Sequence, residues 1–298
     1  MTIIQIRNKD IDKKKYDQCI EGALNGTVYA LSWYLDITFP NWQLLATPDY
    51  SYVMPLSLKR KFGIPIVIQP IHSQQLGIFS SQKITPDITN TFVDKISAMY
   101  IQINLNSGNE AVSDKFTLRA NYVLDMSKQY ETIRNNYNKN TKTLLKKAQK
   151  QNLKIEKHLN LDTDLSLVFE NSPYYPLSSL PIGKKIITKA NEKNLLIARG
   201  VKESGSDNLI AIAFFIHWNN TFYYLFPYSS KPGKEKGAMR FLIDNLIAEF
   251  AGKASALDFE GSTIPSVAQF YESFGAILKP YPMYFLSKFP RFIEKFKK

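Results

Sequence analysis

The order of apolar and polar positions predicts a succession of strands and helices, most clearly over residues 221–275. A strand-sized apolar run at 221–228 leads into a polar, glycine-containing loop at 229–239. The following segment is a predicted helix, with apolar residues at helical spacing: Phe241, Leu242, Leu246, Ile247 and Phe250. A short strand at 255–259 then ends in an acidic turn with a glycine, and another helix follows it.

The rest of the chain repeats a looser version of this plan. Helix and strand signals alternate up to residue 126, and a polar helix predicted over residues 129–152 opens the second half. At 298 residues the chain is long for a single domain. We therefore predict an α+β protein with two domains, residues 1–126 and 127–298, whose sheets are mixed, mostly antiparallel and flanked by helices.

The loop at 229–239 has the pattern of a phosphate-binding site. A glycine-containing loop that leads into a helix offers free backbone N–H groups and the positive end of the helix dipole. This arrangement suits the pyrophosphate of coenzyme A. The candidate residues for binding this coenzyme are Ser229, Ser230, Lys231, Gly233, Lys236, Gly237, Ala238 and Met239.

Two carboxylates follow the short strand and are the candidate catalytic residues. Asp258 and Glu260 are two positions apart, so on a strand their side chains would face the same side. Each would raise the pKa of the other, which favours one of them as a proton acceptor near neutrality. The alternative is structural, with one carboxylate capping the next helix while Gly261 forms the turn.

Positive charge is concentrated in one segment. The formal net charge is +12, and residues 127–157 contain nine basic and two acidic residues, a net charge of +7. Such a patch indicates an anionic partner, whether a nucleotide, a transfer RNA, a cell-wall precursor or a membrane surface. Tyr137, Asn140 and Lys142 are candidates to line an acceptor site, and Lys146 to bind phosphate or carboxylate. A plain solvated helix face is an equal alternative.

Several classes of site have no support in the sequence. The single cysteine excludes an internal disulfide framework and a cysteine-based zinc site, and the three histidines lack metal-ligand spacing. We therefore expect no metal. The first residues lack the apolar core of a signal peptide, and no apolar run approaches the roughly 20 residues that span a bilayer, so we expect a cytoplasmic protein. Residues 285–298 mix Phe with cations and could contact a membrane interface, although packing onto the domain is favoured.

The order of elements after residue 129 resembles the GNAT fold of N-acyltransferases. In that fold two neighbouring strands splay apart and hold the pantetheine arm of coenzyme A, and residues 221–228 and 255–259 match those strands. The pyrophosphate motif of the family is a basic or Gln residue, two variable residues and Gly-x-Gly/Ala. Lys234, Gly237 and Ala238 match it in part, with Gly233 before them.

Other segments resemble FemAB-like transferases, in particular a branch from Bacteroidetes-type bacteria. The acidic turn from Asp258 to Gly261 followed by Phe270-Tyr-Glu-Ser-Phe-Gly275 is similar to their C-terminal signature, and residues 137–148 to the helix that opens their second domain. Residues 33–36, 54–56 and 74–80 match a degenerate first domain. The resemblance covers nearly the whole chain and implies two tandem domains of the acyl-CoA N-acyltransferase type.

This resemblance implies a transferase that moves an acyl or aminoacyl group to an amine. Members of the family add amino acids from aminoacyl-tRNA to the peptide of a cell-wall precursor, and others in the wider group use acyl-CoA. Further candidate substrate contacts are Tyr34, Asp36, Gln74, Gln75 and Tyr271, although structural hydrogen bonding is an alternative for the first four.

The sequence also departs from the family pattern. Tyr271 stands where the signature has a lysine, and the chain has no long coiled-coil arm. Both departures weaken the aminoacyl-tRNA interpretation and leave a rival: a catalytically silent protein that binds RNA or a cell-wall intermediate.

Overall fold

A computed structural model describes residues 1–261 and 264–289. The chain divides into two compact units. Unit 1 consists of residues 1–119 together with the segment that begins at Pro280, and unit 2 consists of residues 120–279. Residues 290–298, the larger part of the tail that mixes Phe with cations, lie outside the described residues.

Unit 1 contains two sheets, with strand orders β1-β2-β3 and β4-β5-β6-β15-β7 among the described residues. β5 and β6 are parallel, and their neighbours pair antiparallel. Numbered in chain order, its elements are β1 (Ile4–Ile6), α1 (Lys13–Gly22), α2 (Ser32–Thr38), β2 (Gln43–Ala46), β3 (Val53–Leu56), β4 (Leu58–Lys61), β5 (Ile64–Ile68), α3 (Pro86–Asp94), β6 (Tyr100–Asn104), β7 (Phe116–Arg119) and β15 (Tyr281–Ser287).

Unit 2 is built on one sheet with the order β14-β8-β13-β12-β11-β10-β9 in the part of the chain that the structure describes. Its elements are β8 (Tyr122–Asp125), α4 (Tyr130–Asn135), α5 (Lys139–Gln149), β9 (Leu153–Glu156), α6 (Leu161–Asn171), α7 (Leu180–Glu192), β10 (Leu196–Glu203), β11 (Leu209–Trp218), β12 (Thr221–Ser229), α8 (Lys231–Lys236), α9 (Ala238–Phe250), β13 (Ala256–Asp258), α10 (Pro265–Glu272) and β14 (Ile277–Leu278).

This division differs from the predicted boundary between residues 126 and 127. β8 pairs with β13 and β14, so it belongs to unit 2. The last strand, β15, pairs with β6 and β7 and therefore belongs to unit 1. Both assignments depend on hydrogen bonds between segments far apart in sequence, which a local pattern of apolar residues does not specify.

The predicted helix over residues 129–152 is two helices instead of one. α4 ends at Asn135, and α5 begins after Asn138, whose side chain accepts a hydrogen bond from the Thr141 N–H at 2.8 Å. Asn favours such a capping position because its short side chain satisfies an N–H that has no partner in the helix. Between the helices, Tyr137 is buried and its ring meets Phe274 edge-on at 5.2 Å.

β12 and β13 are the parallel pair of unit 2, and they are paired over only three residues. The last pair joins Tyr223 to Asp258. On its other edge β12 contains a bulge: Tyr224 pairs with Phe215 and Phe226 with Phe214, which leaves Leu225 as the extra residue. The shift lets Tyr224 and Phe226, two positions apart, pack against different helices, α10 and α6.

Candidate functional site

A groove of about 540 Å³ opens in unit 2 where β12 and β13 separate. Tyr224, Pro227, Tyr228 and Ser229 line it from β12, and Phe259 to Gly261 line it from the segment after β13. Residues from α8, the start of α9, α10 and the segment after α6 complete the lining. Because β13 pairs with β12 only as far as Tyr223, the later part of β12 has no strand partner on the side of the groove.

The groove contains a cluster of aromatic side chains. The Phe259 and Tyr271 rings stack with centroids 4.8 Å apart and planes 18° apart, and Tyr224 meets both rings edge-on. Phe270 contacts Tyr271 at 5.9 Å. Such a surface suits an apolar or planar part of a ligand, since large rigid rings offer contact area at a small cost in side-chain entropy.

Two cations lie at the end of the groove near the start of α9. Lys234 and Arg240 both line it. The Arg240 guanidinium lies 4.9 Å from the centre of the Phe270 ring, and its Nε donates to the Thr141 hydroxyl at 3.4 Å. Among residues 1–261 and 264–289 no carboxylate lies within ion-pair distance of either cation. Burial lowers the pKa of Arg240 from its usual value, but a guanidinium stays charged at neutral pH.

The position of Arg240 favours an anionic ligand. It is in the first turn of α9, where the N–H groups have no partner within the helix and the helix dipole is positive. A phosphate or carboxylate in this end of the groove would therefore meet a guanidinium and the helix terminus together.

The predicted glycine loop is corrected by the structure, because residues 231–236 form α8. The Ser230 side chain caps this helix by accepting from the Gly233 N–H at 3.2 Å. Gly233 lies against β11, where an added Cβ would fall 2.0 Å from the Ile210 carbonyl oxygen. Gly233 is thus a position of close backbone packing, and its N–H is already bonded.

Asp258 and Glu260 differ in their surroundings. Glu260 lines the groove and has a left-handed backbone, with φ at 63°, which is uncommon for a residue other than glycine. Asp258 is absent from the groove lining. Its carboxylate accepts from the Glu260 N–H at 2.8 Å and from the Asn121 side chain at 3.2 Å. The left-handed residue interrupts strand alternation, so the expectation that both side chains face the same side does not hold.

The pKa of Asp258 is raised to about 6 by burial, while its two hydrogen bonds act in the opposite direction. The expected cause, repulsion from Glu260, is not the one that acts. The charge of Glu260 instead adds to the effect of burial in raising the pKa values of Tyr175 and Tyr271. Glu260 therefore acts on both phenols, whereas Asp258 adds only to the raised pKa of Tyr271.

Tyr175 fixes the bulge in β12. Its hydroxyl donates to the Leu225 carbonyl at 2.7 Å, and its ring packs against Phe226 and Phe169. Because Leu225 is the extra residue of the bulge, this bond holds the strand where it changes direction beside the groove. Tyr175 therefore both packs among aromatic side chains and lines the groove.

The structure separates the candidate residues of unit 2 into two groups. Those that line the groove are Ser229, Gly233, Gly237, Met239, Glu260 and Tyr271. The others have different surroundings: Ser230 caps α8, Lys236 forms an ion pair with Glu203, and Ala238 and Tyr137 are buried in the core. Lys142 donates to the Asn135 carbonyl, and Lys231, Asn140 and Lys146 are exposed.

The candidate residues of unit 1 make hydrogen bonds within that unit. The buried Tyr34 donates to the His72 carbonyl. Asp36 forms an ion pair with Lys13 at 2.8 Å and accepts from the Trp42 indole at 3.0 Å. Gln75 is buried and donates to the Gln74 side chain at 2.9 Å. These contacts correspond to the structural alternative for this group.

The sequence patterns matched Lys234 to the pyrophosphate motif, but they did not indicate the roles of Arg240 and Tyr175. One feature of the sequence indicates a role for Arg240. It is a cation in the first turn of a helix, where the positive end of the helix dipole makes a cation unfavourable unless it binds something. No such feature indicates a role for Tyr175, since its role depends on a bulge in a strand 50 residues away.

Two kinds of feature are absent from the described residues. No group of three or more His, Cys, Asp or Glu side chains could hold a metal ion in residues 1–261 and 264–289. Within the same ranges, no helix is both long and apolar enough to cross a membrane.

No protein-family model matches the sequence, and no curated protein matches it either. Solved structures do match the fold. FemX aligns over 100% of both chains with a TM-score of 0.68 and 12% identity. L-PGS from Bacillus licheniformis aligns over 95% of this chain and 94% of its own, with a TM-score of 0.58 and 8% identity.

A tandem GNAT protein from the clavulanic acid biosynthesis pathway aligns over 97% of this chain and 99% of its own, with a TM-score of 0.56 and 9% identity. At these identities the likeness concerns the fold. It confirms the predicted fold class: the chain has the FemAB-like, tandem GNAT fold.

Proposed function

We propose that this protein is an N-acyltransferase that moves an acyl or aminoacyl group from a phosphate-bearing donor to an amine acceptor. The observation that carries the proposal is the separation of β12 from β13 at Tyr223 and Asp258, which opens the groove beside a bulged strand. The donor class is acyl-CoA or aminoacyl-tRNA, and a cell-wall precursor peptide is the proposed acceptor.

The later part of β12 supports binding of an extended donor. An edge of a strand without a neighbour binds chains that carry amides, because their N–H and C=O groups complete the ladder. The pantetheine arm of coenzyme A is such a chain. The aromatic cluster around Phe259 and Tyr271 would then cover its apolar parts.

Arg240 and Lys234 support a donor with phosphate groups. Both cations line one end of the same groove, beside the start of α9. A charge-assisted hydrogen bond from a guanidinium to phosphate contributes about 1.5–3 kcal/mol. α8 takes up N–H groups that a phosphate-binding loop would leave free, so Arg240 is the residue we expect to contribute most to phosphate binding.

Glu260 is the proposed proton acceptor. Transfer to an amine needs a group that removes the proton of the ammonium and a group that stabilises the developing oxyanion. Glu260 lines the groove, and its charge acts on the phenols of Tyr175 and Tyr271. Tyr271 lines the same groove, and its hydroxyl is protonated at neutral pH because burial raises its pKa. We assign it a hydrogen bond to the leaving group, which departs with the proton that Glu260 takes from the ammonium.

Thermal-shift titrations with acetyl-CoA, longer acyl-CoAs and charged tRNA test the donor. We expect one donor class to raise the melting temperature by mass action. Arg240→Ala should weaken that donor about tenfold to a hundredfold, from the loss of one charge-assisted hydrogen bond. Arg240→Lys should recover part of the loss, and Lys193→Ala, a charge loss at the exposed end of α7, should match the wild type.

The pattern of shifts separates the alternatives. A shift with acyl-CoA that Arg240→Ala reduces supports acyl transfer from coenzyme A. A shift with charged tRNA alone, suppressed by salt, supports an aminoacyl donor. Binding without any transfer to amine acceptors would instead support the silent binding protein, which the bonded N–H of Gly233 favours. No shift with any donor would contradict the proposal.

A further inference from the structure

The hairpin between β4 and β5 presents an aromatic side chain to solvent at its tip. The Phe62 side chain is 93% exposed. Phe62 and Gly63 are the two turn residues, with φ at 52° and 79°, since Lys61 pairs directly with Ile64. Two consecutive residues with positive φ define the tight hairpin turn in which Asn-Gly is the preferred sequence.

The fold itself gives no reason for a phenylalanine at this position. A left-handed backbone is unfavourable for a bulky residue, whereas Asn adopts it readily. A side chain exposed to this degree gains almost nothing from packing to offset that strain. An exposed aromatic ring in a strained turn therefore points to a contact outside the chain.

Three consecutive cations precede Phe62. Lys59, Arg60 and Lys61 are exposed, and no carboxylate of the described residues lies within ion-pair distance of them. The Arg60 guanidinium donates to the Gly63 carbonyl at 2.8 Å, across the turn. Charges on an edge strand such as β4 also discourage pairing with other chains, but that role does not account for Phe62.

The facing strand adds apolar surface next to the cations. Lys61 lies opposite Ile64, which is 37% exposed, and Lys59 lies opposite Ile66. The tip of the hairpin thus combines Phe62 and Ile64 with cations directly behind them. This combination matches the interface of an anionic membrane, where apolar side chains enter the headgroup region and Lys or Arg contacts lipid phosphates.

We propose that the β4–β5 hairpin docks unit 1 onto an anionic phospholipid surface, with Phe62 inserted at the interface and Lys59, Arg60 and Lys61 bound to headgroup phosphates. The proposal does not depend on the transferase function, because it concerns a different unit.

Co-sedimentation with vesicles tests the docking. The full chain should bind vesicles of phosphatidylcholine and phosphatidylglycerol in equal parts, bind pure phosphatidylcholine weakly, and lose binding as salt is added. Phe62→Asn should reduce the partition coefficient by about tenfold or more, from the loss of one buried aromatic side chain. Its melting temperature should stay equal or rise, because Asn-Gly suits the turn.

Matched variants distinguish docking through the hairpin from a general attraction between the positively charged protein and the anionic vesicle. The triple variant Lys59→Gln, Arg60→Gln, Lys61→Gln should lose about fivefold per cation. Lys139→Gln, Lys147→Gln, Lys150→Gln removes the same charge from the exposed side of α5 and should bind far better than the hairpin variant. Val112→Ser removes another apolar side chain, 73% exposed, and should bind like the wild type.

Insertion has its own readout. Phe62→Trp should show stronger quenching by brominated lipids than the wild type, whose tryptophans lie elsewhere. Failure of the wild type to bind anionic vesicles, or equal binding by Phe62→Asn, would overturn the proposal. So would a self-association that Phe62→Asn abolishes in the absence of lipid, because the hairpin would then contact a second copy of the chain.

Discussion

Among residues 1–261 and 264–289, each unit contains one parallel pair of strands, and the two pairs end differently. In unit 1, β5 and β6 pair as far as Ile68 and Gln102; in unit 2, β12 and β13 pair as far as Tyr223 and Asp258. A connecting segment follows the first strand of each pair and leads to a helix, α3 in unit 1 and α8 in unit 2. The course of that segment decides whether a groove opens.

In unit 1 the connecting segment closes the gap. The Gln69 N–H donates to the Gln102 carbonyl and the Leu76 N–H to the Asn104 carbonyl, both at 3.0 Å, so the segment continues the ladder along β6. The Gln69 side chain also accepts from the Asn104 N–H at 2.9 Å. The backbone groups of this β6 edge are satisfied within the unit, and no ligand is needed to pair them.

In unit 2 the segment turns the other way. The Ser230 N–H donates to the Ile210 carbonyl of β11 at 3.0 Å, on the side of β12 away from β13. The gap beyond Tyr223 and Asp258 therefore stays open and becomes the groove. Similar strand pairs therefore give a binding site or a closed sheet, according to which neighbouring strand the next segment bonds to.

The largest expected loss of stability comes from substituting the glycines in the two connecting segments, Gly77 in unit 1 and Gly233 in unit 2. An added Cβ at Gly77 would lie 2.5 Å from the Asn109 side chain, and one at Gly233 would lie 2.0 Å from the Ile210 carbonyl. Gly77→Ala and Gly233→Ala should each lower the free energy of unfolding by about 2–4 kcal/mol through overpacking, with added backbone strain at Gly77.

Chemical denaturation measures both losses. Gly22→Ala, at a glycine with open space around it, is the control and should be neutral or slightly stabilising. Only Gly233→Ala should also weaken donor binding at permissive temperature. Equal weakening by Gly77→Ala would contradict the assignment of the groove to unit 2.

The next largest expected effect is on the pH dependence of stability, and it concerns the last residue of each parallel strand pair. Asp258 ends the pair in unit 2, and burial raises its pKa from 3.8 to about 6, whereas the neutral Gln102 ends the pair in unit 1. A raised carboxyl pKa contributes stability below the unfolded pKa and loses it as pH rises through the folded pKa. Relative to Asp258→Asn, the wild type should lose on the order of 2 kcal/mol between pH 4 and 7.

Urea titrations of both proteins across this range measure that difference. Gln102→Asn is the matched control in unit 1, and its difference from the wild type should not change with pH. A difference for Asp258→Asn that grows in the opposite direction, with the wild type gaining stability as pH rises, would show that hydrogen bonds to the carboxylate outweigh its burial.

The smallest effect concerns the closure in unit 1. The Asn104 side chain donates to the Gln74 carbonyl at 2.9 Å, so Asn104→Ala should cost about 1 kcal/mol of stability, the usual net value of one hydrogen bond. Donor binding should not change. Gln102→Ala removes an exposed side chain from the same strand and should cost less than half as much. New donor binding in Asn104→Ala would show that unit 1 retains a hidden groove.

Local patterns predicted the elements that surround the groove. A strand-sized apolar run indicated β12. Helical spacing from Phe241 to Phe250 indicated α9, because burial of one helix face imposes that period. The same patterns did not predict α8. Ser230, Pro232 and Gly233 read as a loop, but a serine cap and a proline in the first turn begin a helix equally well.

The roles of Asp258 and Glu260 were beyond the sequence for a different reason. Strand alternation predicted that both face one side, and the left-handed backbone of Glu260 breaks that alternation. The pKa of Asp258 depends on burial among residues such as Asn121, which is 137 positions away in the chain. A spacing of two positions contains no information about that environment.

The sequence by itself determined most of the strands and helices around the groove and the basic character of the chain, since both follow from local composition and period. Its motifs, from Lys234 to Ala238 and from Asp258 to Gly275, carried the resemblance to the GNAT fold. The tertiary structure decided which strands form each sheet and how far β12 pairs with β13. It also decided that Arg240, Tyr175 and Glu260 line the same groove. Those features depend on hydrogen bonds and burial between distant segments. The groove exists because the segment after β12 bonds to β11 through the Ser230 N–H, and this hydrogen bond is seen only in the folded chain.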